Sequence, residues 1–354
     1  MDENFLLDSK IAEVLYHNYA SKLPIIDYHC HLPVKEIAED VRYSNITELW
    51  LAADHYKWRA MRSCGVAEKY ITGDASDYEK FREYCKIMPN LIGNPVYHWS
   101  HLELRRYFDC DLIINEKNCD EIWNLTAERL AAADMSARNL ISKSNVVLLC
   151  TTDDPADSLE YHKAIAEDKS FPVKVLPAFR PDNAMNIERT GIKAYIEKLG
   201  KSNGVEIKDL KTLEEAFLVS LDRFDAHGCR TADHGMDDYV VFEKPDEYHA
   251  DEIFKKALAS DGADITETEL ALYKSEMMYF FGREYKKRGW VMQIHFGVSR
   301  NPNTVKLKML GRDTGYDTIH GKNCIRDLSK LLDFLTTENV LPRTILYSVN
   351  PADN

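Results

Sequence analysis

Two histidines stand one residue apart at the end of an apolar run near the start of the chain, in the stretch PIIDYHCHLPVK. Side chains two residues apart along a β-strand project to the same side, so Asp27, His29 and His31 would share one face of such a strand. Imidazole nitrogens bind zinc and neighbouring divalent transition metals. The pattern predicts a metal site that uses His29 and His31. The alternative interpretation is a pair of polar residues that face solvent or bond within the core.

Polar residues also end other apolar runs along the chain. Arg180 follows VLPAF and precedes a proline, where its guanidinium could bind a carboxylate or an enediolate oxygen, or form a surface salt bridge to Asp182. Asp233 and His234 are neighbours, so strand alternation lets only one of them face a common site. His295 ends the run MQIHF, where an imidazole could serve either catalysis or structure.

Loops and one helix supply the remaining candidates. The loops GVSRNPNT, with Asn301, and GRDTGYDTIHG, with Asp313, are rich in hydroxyl and amide groups that suit sugar hydroxyls. His55 and Tyr56 lie within the predicted helical stretch ITELWLAADHYKWRAMRSCG, whose arginines on their own indicate a solvated basic face. The sequence contains no Gly-rich phosphate loop, no CxxC pair and no GxSxG nucleophile motif.

The elements that must position these residues alternate between apolar strands and helices. Strands are predicted in PIIDYHCH, NVVLLCTT, VKVLPAFRPD, CRTADHG, WVMQIHFG and RTILYSVNP, with helical stretches between them. Such alternation is typical of βαβ units on a parallel sheet. Polar residues at the ends of all six strands favour an α/β fold of the (β/α)8 TIM-barrel type over a doubly wound sheet. Because six strands do not close an eight-stranded barrel, we expect an incomplete one.

We expect a single, C-terminally truncated barrel domain over residues 1–354, with a helical insertion at 34–145 after the first strand. The net charge of −13 argues against nucleic acid or an anionic membrane as partners. The sequence shows no signal peptide or membrane-spanning run, and its eight cysteines are scattered, which predicts a cytoplasmic protein. Open sheet edges would invite pairing, so a homo-oligomer is a further expectation.

Eight stretches resemble, in order along the chain, the uronate isomerase family of the amidohydrolase superfamily. They are IIDYHCHL, DHYKWRAMRSCG, TTDDPADSLEYH, LPAFRPDNAMNI, CRTADHGM, MQIHFGVSRNPN, GRDTGYDTI and ILYSVNPADN. The resemblance implies an aldose–ketose isomerase of hexuronates, converting D-glucuronate to D-fructuronate and D-galacturonate to D-tagaturonate through a cis-enediol. It implies that His29 and His31 bind a divalent metal, with zinc expected. As catalytic residues it implies Arg180, His55, Tyr56, Asp233 and His295. We expect Arg180, His55 and Tyr56, with the loop residues Asn301 and Asp313, to contact the substrate.

One departure from the family pattern lies on the C-terminal side. In the family, an aspartate in a Thr-Asp-Ser-Arg motif is the third metal ligand and the favoured base, and a tryptophan-rich motif lies nearby. Neither motif occurs in this sequence. The resemblance therefore covers the first six strands of the family barrel, which is the reason for expecting a truncated chain. A metal-dependent hydrolase of the same superfamily and an inactive truncated fragment are the alternatives.

Overall fold

The computed structural model of the chain describes residues 2–236, 241–320 and 324–353, which form eight strands and sixteen α-helices. The strands are β1 (Ile25–Asp27), β2 (Val146–Cys150), β3 (Lys174–Leu176), β4 (Thr231–Gly235), β5 (Val291–Phe296), β6 (Val298–Ser299), β7 (Thr318–Ile319) and β8 (Arg343–Ser348). The helices are α1 (Lys10–Asn18), α2 (Val34–Glu39), α3 (Ile46–Leu51), α4 (His55–Ser63), α5 (Asp77–Ile87), α6 (Pro95–Phe108), α7 (Cys119–Leu130), α8 (Ala137–Lys143), α9 (Glu160–Glu167), α10 (Asp182–Met185), α11 (Ile192–Asn203), α12 (Leu210–Ala226), α13 (Glu247–Ser260), α14 (Glu267–Arg288), α15 (Thr304–Leu310) and α16 (Ile325–Thr337). Among these described helices, none combines the length and the apolar composition needed to cross a bilayer.

The chain divides into two compact units that are built from alternating lengths of sequence. Unit 1 comprises Met1–Ile26, Glu39–Val147 and Asn301–Tyr316, and unit 2 comprises Asp27–Ala38, Leu148–Arg300 and Asp317–Asn354. The chain therefore passes five times from one unit to the other. Most of the predicted 34–145 insertion falls in unit 1, whereas α2 at its start lies in unit 2 except for its last residue.

Unit 1 is helical. Residues 34–145 are described throughout and contain no strand. Local capping sets the helix ends: the Ser76 hydroxyl accepts the Glu79 amide and the Glu79 carboxylate accepts the Ser76 amide, which starts α5. The side chains of these helices pack into one core, in which the fully buried members include Ile46, Met61, Phe81, Tyr84, Leu104 and Ile122.

The longer strands of unit 2 run parallel and follow one another in chain order. β2 pairs with β3, β4 with β5 and β5 with β8, all in parallel register. Phe179 joins β3 to β4: its amide donates to the Thr231 carbonyl at 3.1 Å and its carbonyl accepts the Asp233 amide at 2.8 Å. The carboxyl ends of these strands therefore lie at one edge, where side chains from distant parts of the sequence can meet.

All six predicted strands are found, and two more are added. β6 and β7 are two residues each and pair antiparallel with one another. The order of the parallel strands begins at β1 and ends at β8. Because the described residues include no ladder between β8 and β1, the closed or incomplete state of the barrel stays a prediction.

The first strand is shorter than the sequence predicts, and this is a correction. β1 ends two residues before His29, so His29 and His31 lie in the following loop rather than on a strand. The end of β2 holds this loop: the Cys30 amide donates to the Cys150 carbonyl at 3.0 Å, and the Thr152 hydroxyl donates to the Cys30 carbonyl at 2.9 Å. Strand alternation therefore does not direct the two imidazoles, whose centroids are 5.1 Å apart with nearly perpendicular planes.

Aromatic packing secures the segment after β3 that carries Arg180. Phe179 is fully buried, and its ring lies within 5.1 to 6.3 Å, between centroids, of five other aromatic rings. These belong to Phe217, Phe224, Phe281, Tyr285 and Trp290. A residue held by two strand neighbours and five rings leaves little freedom to the arginine that follows it.

Two substitutions on α12 test which of its residues belong to the core of unit 2. Leu221 on α12 is fully buried, whereas Val219 on the same helix is 42% exposed. We expect Leu221→Ala to lower the free energy of unfolding by about 2 to 5 kcal/mol because it leaves a cavity. Val219→Ala should change it by less than about 1 kcal/mol. Urea denaturation followed by circular dichroism measures both, and equal losses would contradict the assigned core.

Candidate metal centre and active site

A buried carboxylate, Asp233 on β4, lies at the centre of a polar cluster in unit 2. Its side chain is 0% exposed, and its Oδ2 accepts a hydrogen bond from Nη1 of Arg180 at 2.9 Å. Its Oδ1 lies 2.7 Å from Nε2 of His295 on β5, and Nδ1 of His29 lies 3.9 Å from Oδ2. Burial by itself raises the pKa of Asp233, but His295 and Arg180 outweigh burial and lower that pKa to about 2. Asp233 is therefore ionised across the physiological pH range.

Three buried atoms of this cluster converge without an aligned hydrogen bond. Within the described residues, His29 Nδ1, Asp233 Oδ1 and His295 Nε2 have no hydrogen-bond partner, although the Asp233–His295 contact is short. The three atoms lie within 4.8 Å of one another. Burial lowers the pKa of His29 to about 4, which leaves its ring neutral and able to act as a ligand. Two imidazole nitrogens and a carboxylate oxygen are a donor set for a divalent transition metal, so the residues present fit such an ion.

The converging set differs from the pair that the sequence analysis favours. That pair is His29 with His31, whereas the structure brings His29 together with Asp233 and His295. The ring of His31 lies beside that of His29 but is not a member of the three-atom set. Its role as a metal ligand stays a prediction.

Arg180 is held in one orientation by two carboxylates. Its Nε donates to Oδ2 of Asp182 at 2.7 Å, while Nη1 donates to Asp233. Asp182 in turn accepts the Gly235 amide at 3.1 Å, which ties the arginine to the end of β4. The salt bridge to Asp182 that the sequence predicts as one alternative is therefore present, and the guanidinium also bonds to Asp233. The role of Arg180 in binding a substrate oxygen stays a prediction.

His234 faces away from the cluster, as alternation along β4 requires. Its Nε2 lies 3.1 Å from the Tyr285 hydroxyl, and its ring packs on Phe281 at 5.7 Å between centroids. Burial lowers the pKa of His234 to about 4, so this ring is neutral. It is part of the aromatic core beneath the site.

Tyr347 on β8 belongs to the site and was missed in the sequence analysis. Its ring stacks on His295 with centroids 4.4 Å apart and planes at 12°, and its hydroxyl donates to Gln293 at 2.8 Å. In the parallel register of β5 and β8, His295 stands opposite Tyr347. The signal was therefore present: a polar aromatic residue near the end of the last predicted strand, beside the strand that carries His295.

Four predicted site residues belong to unit 1. His55 and Tyr56 begin α4, and the Tyr56 side chain is 67% exposed. Asn301 and Asp313 adopt left-handed backbone conformations, with φ of 51° and 56°. Near Asp313, Gly315 has φ of 89°, and a Cβ there would lie 2.6 Å from the His55 carbonyl oxygen, so only glycine allows this approach to α4. The catalytic and substrate-contact roles of these four residues stay predictions.

A second buried polar network lies at the end of β2. The Thr151 hydroxyl lies 2.7 Å from Oδ2 of Asp153 and 2.8 Å from Nε2 of His162 on α9. Oδ2 of Asp153 also accepts the Ala178 amide at 3.2 Å. Despite these hydrogen bonds, burial raises the pKa of Asp153 to about 7, and burial lowers the pKa of His162 to about 4.

The raised pKa of Asp153 predicts a pH dependence of stability. Between the pKa of an unfolded aspartate and a pH of about 7, the folded chain holds a proton that the unfolded chain releases. Stability from this group is therefore full at low pH and is lost as pH rises through that window. The wild type should therefore lose stability between pH 5 and pH 8, whereas Asp153→Asn, which has no carboxyl group to titrate, should not. The difference in the free energy of unfolding between variant and wild type should shift by about 2 kcal/mol in favour of the variant over this range.

Chemical denaturation at the two pH values measures this difference. Asp264→Asn, which changes an exposed aspartate, is the control and should track the wild type. If the free energies of unfolding of the Asp153 and Asp264 variants change alike with pH, the assignment of a raised pKa to Asp153 is wrong.

The hydrogen bond from Thr152 to the histidine loop should matter for metal affinity. Thr152→Val removes the donor to the Cys30 carbonyl at nearly constant volume, which frees the loop that carries His29. We expect zinc affinity to fall about tenfold, as is usual for residues that orient a ligand, and Thr152→Ser to restore it. Zinc competition with a chromophoric chelator measures this. Thr336→Val, which removes a similar hydroxyl-to-carbonyl bond on α16, is the control, and an unchanged affinity in Thr152→Val would count against the centre.

Comparisons with known proteins show the family to which the chain belongs. The sequence profile of the family described as glucuronate isomerase matches residues 1–354. The uronate isomerase of Lachnoclostridium phytofermentans is 49% identical over 354 residues, which are 100% of this chain and 75% of that protein. The uronate isomerase of Caldicellulosiruptor saccharolyticus is 50% identical with the same coverage.

Solved structures extend the likeness to the fold. The crystal structure of a uronate isomerase from Thermotoga maritima matches with a TM-score of 0.93 at 35% identity, covering 99% of this chain and 76% of that one. A glucuronate isomerase from Caulobacter crescentus matches with a TM-score of 0.90 at 26% identity, covering 99% of this chain and 74% of that one. The expected C-terminal truncation stays a prediction. The match of the family profile to every residue, together with relatives at about half identity, shows that this chain belongs to the uronate isomerase family.

Proposed function

We propose that this chain interconverts aldo- and keto-hexuronates, D-glucuronate with D-fructuronate and D-galacturonate with D-tagaturonate, through a cis-enediol. The observation that carries the proposal is the buried cluster of Asp233, Arg180, His295 and His29 at the strand ends of a chain in the uronate isomerase family. The cluster combines an oriented guanidinium with a donor set for a divalent ion, and both kinds of group stabilise the negative oxygen of an enediolate.

Arg180 would stabilise the charge that develops on oxygen during the reaction. Moving a proton from C2 to C1 passes through an enediolate, in which negative charge appears on the C1 or C2 oxygen. The guanidinium is already oriented by Asp182 and Asp233, so little reorganisation is needed when that charge forms. Its planar donors match an enediolate oxygen pair.

His29, Asp233 and His295 would hold a divalent metal, zinc in our proposal, and the family resemblance adds His31 to this set. When bound, such an ion supplies Lewis-acid polarisation of the substrate oxygens. The chain's own contribution is to keep the two imidazoles and the carboxylate facing one another. The ionised state of Asp233 serves this purpose because only a deprotonated carboxylate is a good ligand.

The proton-transfer base is not assigned to this cluster. Asp233 is a poor candidate because a carboxylate whose pKa is about 2 has little affinity for a proton from carbon. The aspartate that the family resemblance predicts for this step belongs to a Thr-Asp-Ser-Arg motif that the sequence does not contain. Turnover by the chain itself is therefore the measurement on which the proposal stands.

The remaining parts of the proposal rest on the resemblance and on composition. His55, Tyr56, Asn301 and Asp313 are proposed substrate contacts. A cytoplasmic location is supported by the scattered cysteines, among them the buried thiols of Cys85, Cys150 and Cys229, because reduced thiols are typical of that compartment. Self-association into a homo-oligomer is supported by β8, an end strand of the parallel order, where Leu346 is 44% exposed.

Removal of the guanidinium should abolish most of the activity. Incubation with D-glucuronate, followed by detection of the keto product, gives kcat/KM for the wild type and for Arg180→Ala. We expect Arg180→Ala to lower kcat/KM at least about a hundredfold, roughly 2.7 kcal/mol, because the enediolate charge loses its partner. Arg230→Ala, at an arginine whose side chain is 61% exposed in the same unit, is the control and should stay within about twofold.

Three outcomes would decide between the functions. A near-normal kcat/KM for Arg180→Ala would remove Arg180 from the site. Hydrolysis of lactones or amides, in the absence of isomerisation, would favour a metal-dependent hydrolase. No turnover of any hexuronate by the wild type would contradict the proposed function and favour an inactive fragment.

A further inference from the structure

His295 has no aligned hydrogen bond at the nitrogen that faces the candidate metal centre. Its Nε2 lies 2.7 Å from Oδ1 of Asp233, yet the described residues give this nitrogen no hydrogen-bond partner. An imidazole binds a metal through a lone pair in the plane of its ring, so the orientation of that plane matters for affinity. Because the terminal torsion of a histidine has broad minima, a neighbouring group must hold the ring in one orientation.

The ring of Tyr347 is a neighbour that lies almost parallel to the His295 imidazole. The two centroids are 4.4 Å apart, and the two planes differ by 12°. The His29 ring is also close to His295, at 4.6 Å between centroids, but its plane is tilted by 38°. A parallel ring covers the face of the imidazole, so a rotation of the imidazole would bring the two rings into collision. The stacking on Tyr347 therefore restrains the plane of His295.

Tyr347 is itself held by its backbone and by its hydroxyl. In the parallel ladder between β5 and β8 it stands opposite His295, which fixes the spacing of the two backbones. Its hydroxyl donates to Oε1 of Gln293 at 2.8 Å, and Gln293 is fully buried on β5, two residues before His295. Since the hydroxyl lies on the long axis of the tyrosine ring, this hydrogen bond fixes the direction of that axis. The ring has little freedom to move away from the imidazole.

We propose that Tyr347 is a positioning residue for the metal centre: its ring holds the imidazole plane of His295 so that Nε2 points toward the site shared with His29 and Asp233. The inference rests on the divalent metal of the proposed function and adds a residue that is not itself a ligand. The three ligand atoms lie within 4.8 Å of one another, so a small rotation of one ring is enough to spoil the set. The face of the tyrosine ring positions His295, and the hydroxyl anchors the tyrosine.

Substitutions at Tyr347 separate the effect of the ring from that of the hydroxyl. Tyr347→Phe keeps the ring but leaves the buried Gln293 oxygen without its donor. It should lower the urea midpoint of the metal-free protein while zinc affinity stays within about threefold of the wild type. Tyr347→Leu removes the ring and should lower zinc affinity about tenfold, as is usual for residues that orient a ligand. Tyr347→Met fills the space with a flexible chain that has no flat face, so the same loss is expected, and it replaces the leucine variant if that one does not fold.

Zinc competition with a chromophoric chelator measures these affinities, and urea denaturation shows which metal-free variants are folded. Tyr97→Leu is the matched control, because Tyr97 is a half-buried tyrosine whose ring centroid lies 4.4 Å from that of His101 in unit 1. Neither residue belongs to the three-atom set, so this variant should bind zinc as the wild type does.

A folded Tyr347→Leu or Tyr347→Met variant that binds zinc as tightly as the wild type would refute the positioning role. An equal loss of affinity in Tyr347→Phe would also refute it, since the hydroxyl rather than the ring would then be responsible. A loss of the same size in Tyr97→Leu would show that the effect is not specific to His295 and would overturn the inference as well.

Turnover of D-glucuronate distinguishes this inference from the proposed function. A wild type that isomerises D-glucuronate, with zinc affinity unchanged in Tyr347→Leu, would overturn the positioning role and leave the isomerase intact. The expected order of zinc affinities in a chain that forms no ketose would support the positioning role and contradict the isomerase. A wild type that binds no zinc would overturn the positioning role, whatever its turnover.

Discussion

The negative charge of Asp233 is the constraint on which the polar side of unit 2 depends. An ionised carboxylate that is removed from water is strongly destabilising unless it is paired and hydrogen-bonded. Arg180 and His295 meet this requirement, and together they hold the pKa of Asp233 at about 2 even though burial acts in the opposite direction. The same pairing orients the guanidinium and draws an imidazole to within 2.7 Å of the carboxylate. The same three side chains thus meet a stability requirement and form the arrangement that we propose for catalysis.

Backbone register supplies the precision that this cluster needs. Asp233 and His295 stand on paired strands, and Arg180 follows Phe179, whose peptide groups bond to β4. Each of these positions is set by parallel ladder hydrogen bonds or by aromatic packing, rather than by a flexible surface loop. His29 is the exception, since it lies in a loop, and there the bonds from Cys30 to the end of β2 take the place of the ladder.

The strand order of unit 2 was predictable from the sequence, because each parallel strand is an apolar run that ends in polar residues. The length of β1 was not predictable, because PIIDYHCH continues the alternating pattern past Asp27 although the strand ends there. β6 and β7 were not predicted because strands of two residues are too short to show a periodicity. The helical stretch through ITELWLAADHYKWRAMRS was expected to be continuous, yet Asp54 caps a new helix by accepting the amides of Tyr56 and Lys57.

For the site, residue types were predictable but partners were not. His29, Arg180, Asp233 and His295 all stood out as polar residues at strand ends. Their grouping is a property of the fold: His29 and His295 are far apart in sequence, so the nearest histidine along the chain, His31, was the natural choice of partner.

The interleaving of the two units has a consequence for how the protein is made. Unit 1 needs Asn301–Tyr316, and unit 2 needs Asp317–Asn354, so each unit includes residues from the last part of the chain. Nascent chains emerge from the ribosome N-terminus first, and a contiguous domain can complete its fold while later residues are still being added. Neither unit here can do so before residue 316 of 354 has been synthesised. The apolar surfaces of both units therefore stay exposed until these distant segments have been synthesised, a state in which a nascent chain is prone to aggregate.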